Sequence, residues 1–86
     1  MKALIPISNG VEDIETVTLI DVLRRAEIKV TVSSVQEMTI TAARGTVIIA
    51  DSLIEDIKNT QFDIIALPGG LPGAEYLRDS KCLDMM

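Results

Sequence analysis

The residue pairs most often used in nucleophilic catalysis are missing from this sequence. There is no histidine and only one cysteine, Cys82, so neither a Cys/His nor a Ser/His pair can form within the chain. A zinc site is not expected, because cysteine and histidine are its usual ligands, and no other metal or cofactor is predicted. The remaining candidates are a carboxylate, Glu15, and a glycine pair, Gly69 and Gly70.

Glu15 lies within a stretch, Val11–Ala26, that predicts a helix. At about 100° per residue, Glu15 falls in the arc that should face a sheet. The apolar residues of that arc are Val11, Leu19, Val22, Leu23 and Ala26. A buried carboxylate is costly unless it is hydrogen-bonded or protonated, and burial would make Glu15 a proton donor near neutral pH. The alternative is that Glu15 stabilises the helix dipole from a solvent-exposed edge.

The glycine pair follows a predicted buried strand, Phe62–Leu67, in the segment LPGG. In open α/β sheets, ligands bind at the carboxyl ends of the strands. The N–H groups of Gly69 and Gly70 are suited to binding an oxyanion there, whereas the alternative is an ordinary strand-to-helix turn. Because the first strand ends at the same edge, Glu15 and the glycine pair are predicted to lie on one rim.

The elements that must position these residues alternate along the chain. The predicted strands are Lys2–Ser8, Ile28–Val35 and Phe62–Leu67, with a hairpin in Glu37–Ile49 that turns near Ala43–Gly45. The predicted helices are Val11–Ala26, Ser52–Asn59, Pro72–Arg78 and one from Ser80 onward. This alternation is typical of a parallel, doubly wound α/β sheet. The far edge of Phe62–Leu67 should need covering by further chain, a complementing fragment or a second copy.

The predicted first helix also carries apolar residues on its outer side. Ile14, Val17 and Ile20 lie there among the charged residues of the expected solvent face, Asp13, Asp21, Arg24 and Arg25. A helix that is apolar nearly all round is buried on more than one side. These three residues are therefore predicted to contact a partner subunit, with a covering loop as the alternative.

Composition excludes several classes of function. The net charge is −5 and the eight basic residues are dispersed, so nucleic acid binding is not expected. The apolar runs are shorter than the roughly 20 residues that span a bilayer, and the opening MKALIPIS does not resemble a signal peptide. A cytoplasmic location is expected. With 86 residues, 48% of them hydrophobic, the chain is also expected to need a covering partner.

Three segments, in this order, resemble the ThiJ/PfpI family: SNGVEDIETVTLIDVLRRAEIKVTV, TAARGTVIIAD and FDIIALPGGLPGAEYLRDS. Together they cover essentially the whole chain. The resemblance implies a flavodoxin-like α/β parallel sheet sandwich, related to class I glutamine amidotransferases. Residues 1–86 would be the amino-terminal half of that single domain, and hence an incomplete fold. The resemblance also implies a homodimer, with Ile14 in its interface.

The same resemblance implies roles for particular residues around a reactive cysteine. Glu15 matches the family glutamate that hydrogen-bonds to the cysteine sulfur. Gly69 and Gly70 match backbone amides that face this cysteine. Arg25 and Arg44 match arginines around an anion site near the dimer contact.

The sequence departs from the family pattern at two places. Glu27 stands where the family often has a glycine that favours a left-handed helix end, so a different end of the helix is expected. The family nucleophile lies on a strand-to-helix elbow after the PGG turn, in a segment like AICAGP, and nothing in this chain resembles it. Cys82, in SKCLDMM, is predicted to be an ordinary thiol.

The implied function is that of a cysteine-dependent enzyme acting on reactive dicarbonyls or their protein adducts, as a glyoxalase or deglycase. The 86-residue chain alone is expected to be inactive. A related hypothesis is oxidative-stress sensing, in which the cysteine becomes a sulfinate stabilised by Glu15. The alternative is a non-enzymatic, chaperone-like or regulatory dimer. Expected partners are a second copy or a complementing carboxyl-terminal fragment and a small dicarbonyl, but no nucleic acid or membrane.

Overall fold

The structure is a computed structural model that describes residues 1–69. Its strands are β1 (Lys2–Ile7), β2 (Lys29–Ser34), β3 (Thr39–Thr41), β4 (Val47–Ile49), β5 (Ser52–Leu53) and β6 (Ile64–Ile65). Its helices are α1 (Asp13–Arg25) and a short 3₁₀ helix, Ile54–Ile57. Within the described residues, a parallel sheet has the order β5–β2–β1–β6, and β3 and β4 form an antiparallel hairpin. The predicted parallel α/β architecture is confirmed.

Strand β1 is the centre of this sheet. It pairs with β2 from Lys2 opposite Lys29 to Ile7 opposite Ser34, and with β6 on its other edge. Every residue of β1 after Lys2 is buried, which explains its nearly continuous apolar sequence, since a central parallel strand is covered on both faces. The carboxyl ends of β1 and β6 consequently meet at one edge of the sheet.

Helix α1 buries a face that overlaps only partly with the predicted one, at Leu19 and Leu23. The side chains that lie against the core are Thr16, Leu19, Ile20 and Leu23. Val22 is instead 55% exposed, and Ala26 is exposed as well. At about 100° per residue, the buried arc is rotated by roughly 70° from the predicted one. Thr16 permits this rotation, because its hydroxyl donates a hydrogen bond to the Glu12 carbonyl at 2.7 Å, and a satisfied hydroxyl can be buried.

The carboxyl end of α1 also differs from expectation. Glu27 has a φ of 63°, the left-handed conformation that glycine adopts most readily. Its N–H donates to the carbonyl of Arg24 at 3.0 Å, and the next N–H, of Ile28, donates to the carbonyl of Leu23 at 3.1 Å. These two bonds form a Schellman motif. The expectation that Glu27 ends the helix differently from a glycine is therefore wrong, because satisfying the last carbonyls imposes the same backbone conformation.

The hairpin packs its inner face against the core. Ile40, Ala42 and Ala50 are buried in the same cluster as the sheet residues, whereas Val47 and Ile49 are 62% and 73% exposed. The loop between its strands spans residues 42–46, within which the predicted turn lies. The hairpin thus presents one apolar face to the core and one to the surface.

The prediction of a helix over Ser52–Asn59 is wrong at its start. Ser52 and Leu53 extend the sheet as β5, and only Ile54–Ile57 is helical, as a 3₁₀ turn. The reason is a long-range contact, since the hydroxyl of Ser52 lies 2.7 Å from that of Ser33 on β2. The predicted helices over Pro72–Arg78 and from Ser80 onward lie outside the described residues.

Candidate functional site

The candidate site lies at the sheet edge where β1 and β6 end. The chain leaves β1 through residues 8–11 into α1, and it leaves β6 through residues 66–69. These two connections are joined by a hydrogen bond from the N–H of Glu12 to the carbonyl of Gly69, 2.8 Å long. The first turn of α1 and the glycine turn are therefore neighbours, although more than 50 positions separate them in the sequence.

Glu15 approaches Gly69 directly. A Cβ atom at position 69 would overlap Oε2 of Glu15 and would lie 2.9 Å from its Cδ and 3.2 Å from its Oε1. Real Cβ atoms are not found so close to other atoms. Position 69 therefore has room only for glycine as long as the Glu15 carboxylate occupies this place. The absence of a side chain at Gly69 thus makes room for the carboxylate.

Of the two alternatives for Glu15, the described residues agree with the solvent-exposed edge and not with burial against the sheet, since Glu15 is exposed. The physical reason is the orientation of α1. Thr16, the next residue, is fully buried and turns the helix so that Glu15 lies on its flank rather than beneath it. The carboxylate faces a groove instead of the sheet.

This groove has a volume of about 430 Å³ and is open to solvent. Its lining residues are Ile14, Glu15, Thr18, Leu19, Leu67, Pro68 and Gly69. Most of the wall is apolar, and the Glu15 carboxylate and the backbone of Gly69 are among its polar groups. Such a combination is typical of sites for small organic molecules, where a few polar groups orient a ligand against apolar walls.

Asp13 is a residue at this site that the sequence did not indicate. It was expected on the solvent face, but it is buried, with a relative exposure of 9%. Its Oδ1 accepts a hydrogen bond from the N–H of Arg44 at 2.8 Å, and its Oδ2 accepts one from the N–H of Thr46 at 3.1 Å. A bond from the Thr46 side chain, with these backbone bonds, lowers the pKa of Asp13 below 3.8, although desolvation opposes the shift. Asp13 is therefore a charged link between α1 and the hairpin loop.

Arg25 and Arg44 do not come together within the described chain. Arg25 is at the carboxyl end of α1, where its Nε lies 3.0 Å from Oδ2 of Asp21 in an exposed ion pair. Arg44 is held by its backbone at the amino end of the same helix, through Asp13. At 1.5 Å per residue, the two attachment points are about 18 Å apart along the helix axis. Their predicted role around an anion stays a prediction.

The outer face of α1 matches the expectation at two positions and differs at one. Ile14 is 75% and Val17 is 52% exposed, and both border a further shallow surface pocket. Ile20 was predicted to lie on this outer side, but it packs against the core, because the buried arc of α1 is centred on Thr16 and Leu23. Contact of Ile14 and Val17 with a second copy stays a prediction.

Two further predictions concern residues that the structure does not describe. Gly70, the second member of the glycine pair, and Cys82 both lie outside residues 1–69. Within that range, no group of three His, Cys, Asp or Glu residues is arranged to hold a metal ion. No helix in the same range is long and apolar enough to cross a bilayer.

The sequence of this chain is similar to those of several named proteins. Protein DJ-1 homolog B of Arabidopsis thaliana is 48% identical over 86 residues, which are 99% of this chain and 20% of that protein. A glutathione-independent glyoxalase of Caenorhabditis elegans, DJR-1.2, is 37% identical over 68 residues, 79% of this chain and 36% of that protein.

Among solved structures, oxidized DJ-1 of Toxoplasma gondii superposes with a TM-score of 0.92 at 46% identity, covering 95% of this chain and 45% of its own. The chain therefore spans less than half the length of these relatives, and it has the flavodoxin-like fold that its segments predicted. The model of the DJ-1/PfpI family matches residues 1–86. The chain belongs to the DJ-1/PfpI family.

Proposed function

We propose that the complete protein is a cysteine-dependent enzyme acting on reactive dicarbonyls, with Glu15 as the proton partner of the cysteine. The observation that carries the proposal is the Glu15 carboxylate lying against Gly69 at the carboxyl ends of β1 and β6. This is where open α/β sheets bind their ligands. The naming of the worm relative as a glutathione-independent glyoxalase supports the choice of substrate class.

In this proposal the residues around the Glu15 carboxylate have distinct tasks. Attack of a thiolate on an aldehyde carbon turns the carbonyl oxygen into an oxyanion, which backbone N–H groups at residues 69 and 70 would stabilise. The carboxyl group of Glu15 would exchange a proton with the reacting atoms, as a positioned acid or base does. The apolar wall formed by Ile14, Leu19 and Leu67 suits the small alkyl group of methylglyoxal.

The test is replacement of Glu15 in the complete protein. Glu15→Gln keeps the shape of the side chain but removes its acid, and it should lower kcat/KM for methylglyoxal by about 100-fold, as loss of general acid–base catalysis does. Glu27→Gln is the matched control, because Glu27 is also exposed but follows the opposite end of α1. Undiminished turnover in Glu15→Gln would contradict the proposal.

A second candidate is a non-enzymatic, chaperone-like or regulatory dimer, and the exposed apolar residues Ile14 and Val17 favour it. If binding is the function, Ile14→Asp in the complete protein should weaken self-association in sedimentation experiments and abolish protection of a client protein, while Glu15→Gln leaves protection unchanged.

Oxidation sensing shares the Glu15 site with the enzyme. For sensing, Glu15→Gln should reduce the yield of cysteine sulfinate measured by mass spectrometry after peroxide treatment.

A further inference from the structure

The start of α1 is fastened on two sides by Glu12 and Asp13, which precede Glu15 by three and two residues. On one side, the N–H of Glu12 donates to the carbonyl of Gly69 at 2.8 Å. On the other, both oxygens of Asp13 accept backbone N–H groups from the loop of the hairpin. Glu15 follows Asp13 by two residues, so the position of its carboxylate depends on how firmly this turn is held.

The hairpin does not need Asp13 in order to stay attached to the core. Its inner residues are buried among the sheet residues, and backbone bonds already join it to the segment before α1. These bonds run from the N–H of Gly10 to the carbonyl of Thr41, at 3.0 Å, and from the N–H of Ala43 to the carbonyl of Val11, at 2.8 Å. Asp13 differs from these contacts because it ties the loop to the helix itself.

The contact between Glu15 and Gly69 depends on where the first turn of α1 lies. Its carboxylate occupies the space where any side chain at position 69 would begin. A small shift of the first turn along the helix axis would change the distance between the Glu15 carboxylate and the backbone of Gly69. Misplacement of a catalytic group by about 1 Å can cost a factor of about 100 in rate.

We propose that Asp13 is a positioning residue for Glu15, whose carboxylate holds the first turn of α1 to the loop at residues 44–46 and so keeps Glu15 against Gly69. This inference rests on the proposed function, because it assigns Asp13 a role in the same site. Asp13 does not touch the reacting atoms. Its effect passes through the helix turn to Glu15.

The first measurement tests the link itself in the complete protein. Asp13→Asn leaves one acceptor oxygen and places an NH₂ group opposite the second N–H. Amide hydrogen exchange should therefore accelerate by about tenfold or more at Arg44 or Thr46, whichever N–H loses its acceptor, since a lost bond makes local opening easier. The matched control is Asp63→Asn, because Asp63 also accepts a backbone N–H, that of Lys2 at 2.8 Å, but at the other end of the sheet. Unchanged exchange at residues 44 and 46 would overturn the proposal.

The second measurement is the pH dependence of kcat/KM for methylglyoxal. Displacing Glu15 should move the midpoint of the profile, because the neighbouring acid influences formation of the thiolate. Asp13→Asn should move it in the same direction as Glu15→Gln, by about half a pH unit or more, whereas Asp63→Asn should leave it in place. If Asp13 only stabilised the fold, Asp13→Asn would lower kcat/KM by the same factor at every pH and would leave the midpoint unchanged.

The possible results separate the two claims. A moved midpoint in Glu15→Gln but not in Asp13→Asn would overturn the positioning role alone. Wild-type kinetics in Glu15→Gln would overturn the proposed function and the inference with it. If Asp13→Asn does not fold, Thr46→Val provides the test, because it removes only the hydroxyl that bonds to Asp13, and it should give a smaller shift in the same direction.

Discussion

The two ends of α1 show how differently one helix can be held. Its first turn is tied to the glycine turn through the backbone of Glu12 and to the hairpin through Asp13. Its last turn is exposed apart from Leu23, which packs against the core, and its one described ion pair joins Asp21 to Arg25 within the same helix. Long-range hydrogen bonds therefore fix the end that carries Glu15, whereas the described hydrogen bonds at the other end are local. We expect substitutions at the first turn to alter function, and substitutions of Asp21 and Arg24 near the other end to alter only stability, slightly.

The largest effect is expected where Gly69 meets Glu15. Gly69→Ala would place a Cβ atom on the carboxylate, so Glu15 must swing away, and turnover of methylglyoxal by the complete protein should fall by about 100-fold. The free energy of unfolding should change by no more than about 1 kcal/mol, because the displaced atoms end a flexible side chain. Arg24→Ala, in the last turn, should retain turnover. Full activity of Gly69→Ala would contradict the expectation that only the first turn of α1 is important for function.

The next effect concerns acid stability. Because the pKa of Asp13 is lowered in the folded state, its bonds to the loop stabilise the protein above pH 3.8 and are lost as the pH falls through the folded pKa. Thermal unfolding should therefore separate wild type from Asp13→Asn at neutral pH, and the two curves should converge in acid. A difference that is independent of pH would show that the charge of Asp13 does not contribute.

A smaller and opposite effect is expected at Glu27, just after the last turn. Glu27 holds a left-handed conformation that costs most residues about 1–2 kcal/mol. Glu27→Gly should raise the free energy of unfolding by about 1 kcal/mol, after allowing for the greater freedom of glycine in the unfolded chain. Glu27→Ala removes the same charge but keeps the strain, so it should not stabilise the protein. Equal stabilisation by both variants would point to charge instead of conformation.

The smallest effect is expected for the ion pair of the last turn. Asp21→Asn removes a pair whose side chains are 56% and 78% exposed. Solvent screens such pairs, so the free energy of unfolding should fall by about 0.5 kcal/mol or less. Repeating the denaturation at high salt should abolish even this difference. A loss comparable to that of Asp13→Asn would contradict the proposed contrast between the ends.

Sequence alone was sufficient for the order of the main elements and for the family. Strand β1 was recognisable because a central parallel strand is apolar at nearly every position. The helix between β1 and β2 was placed to within two residues at each end. The shared rim of Glu15 and Gly69 followed from a rule about parallel strands, whose carboxyl ends meet at one edge.

The tertiary structure decided which polar groups lie inside. The sequence places Asp13 on the solvent face of α1, yet in the structure its hydrogen-bond partners lie 31 and 33 positions away along the chain. Nothing in the sequence indicates which side of the helix Thr16 faces. In the structure it faces the core and so turns α1, which leaves Glu15 on the flank of the helix. Apolar patterns report burial only on average, whereas a polar group is buried when a specific partner satisfies it. Such partners become neighbours only when the chain has folded, so the setting of Glu15 became apparent only in three dimensions.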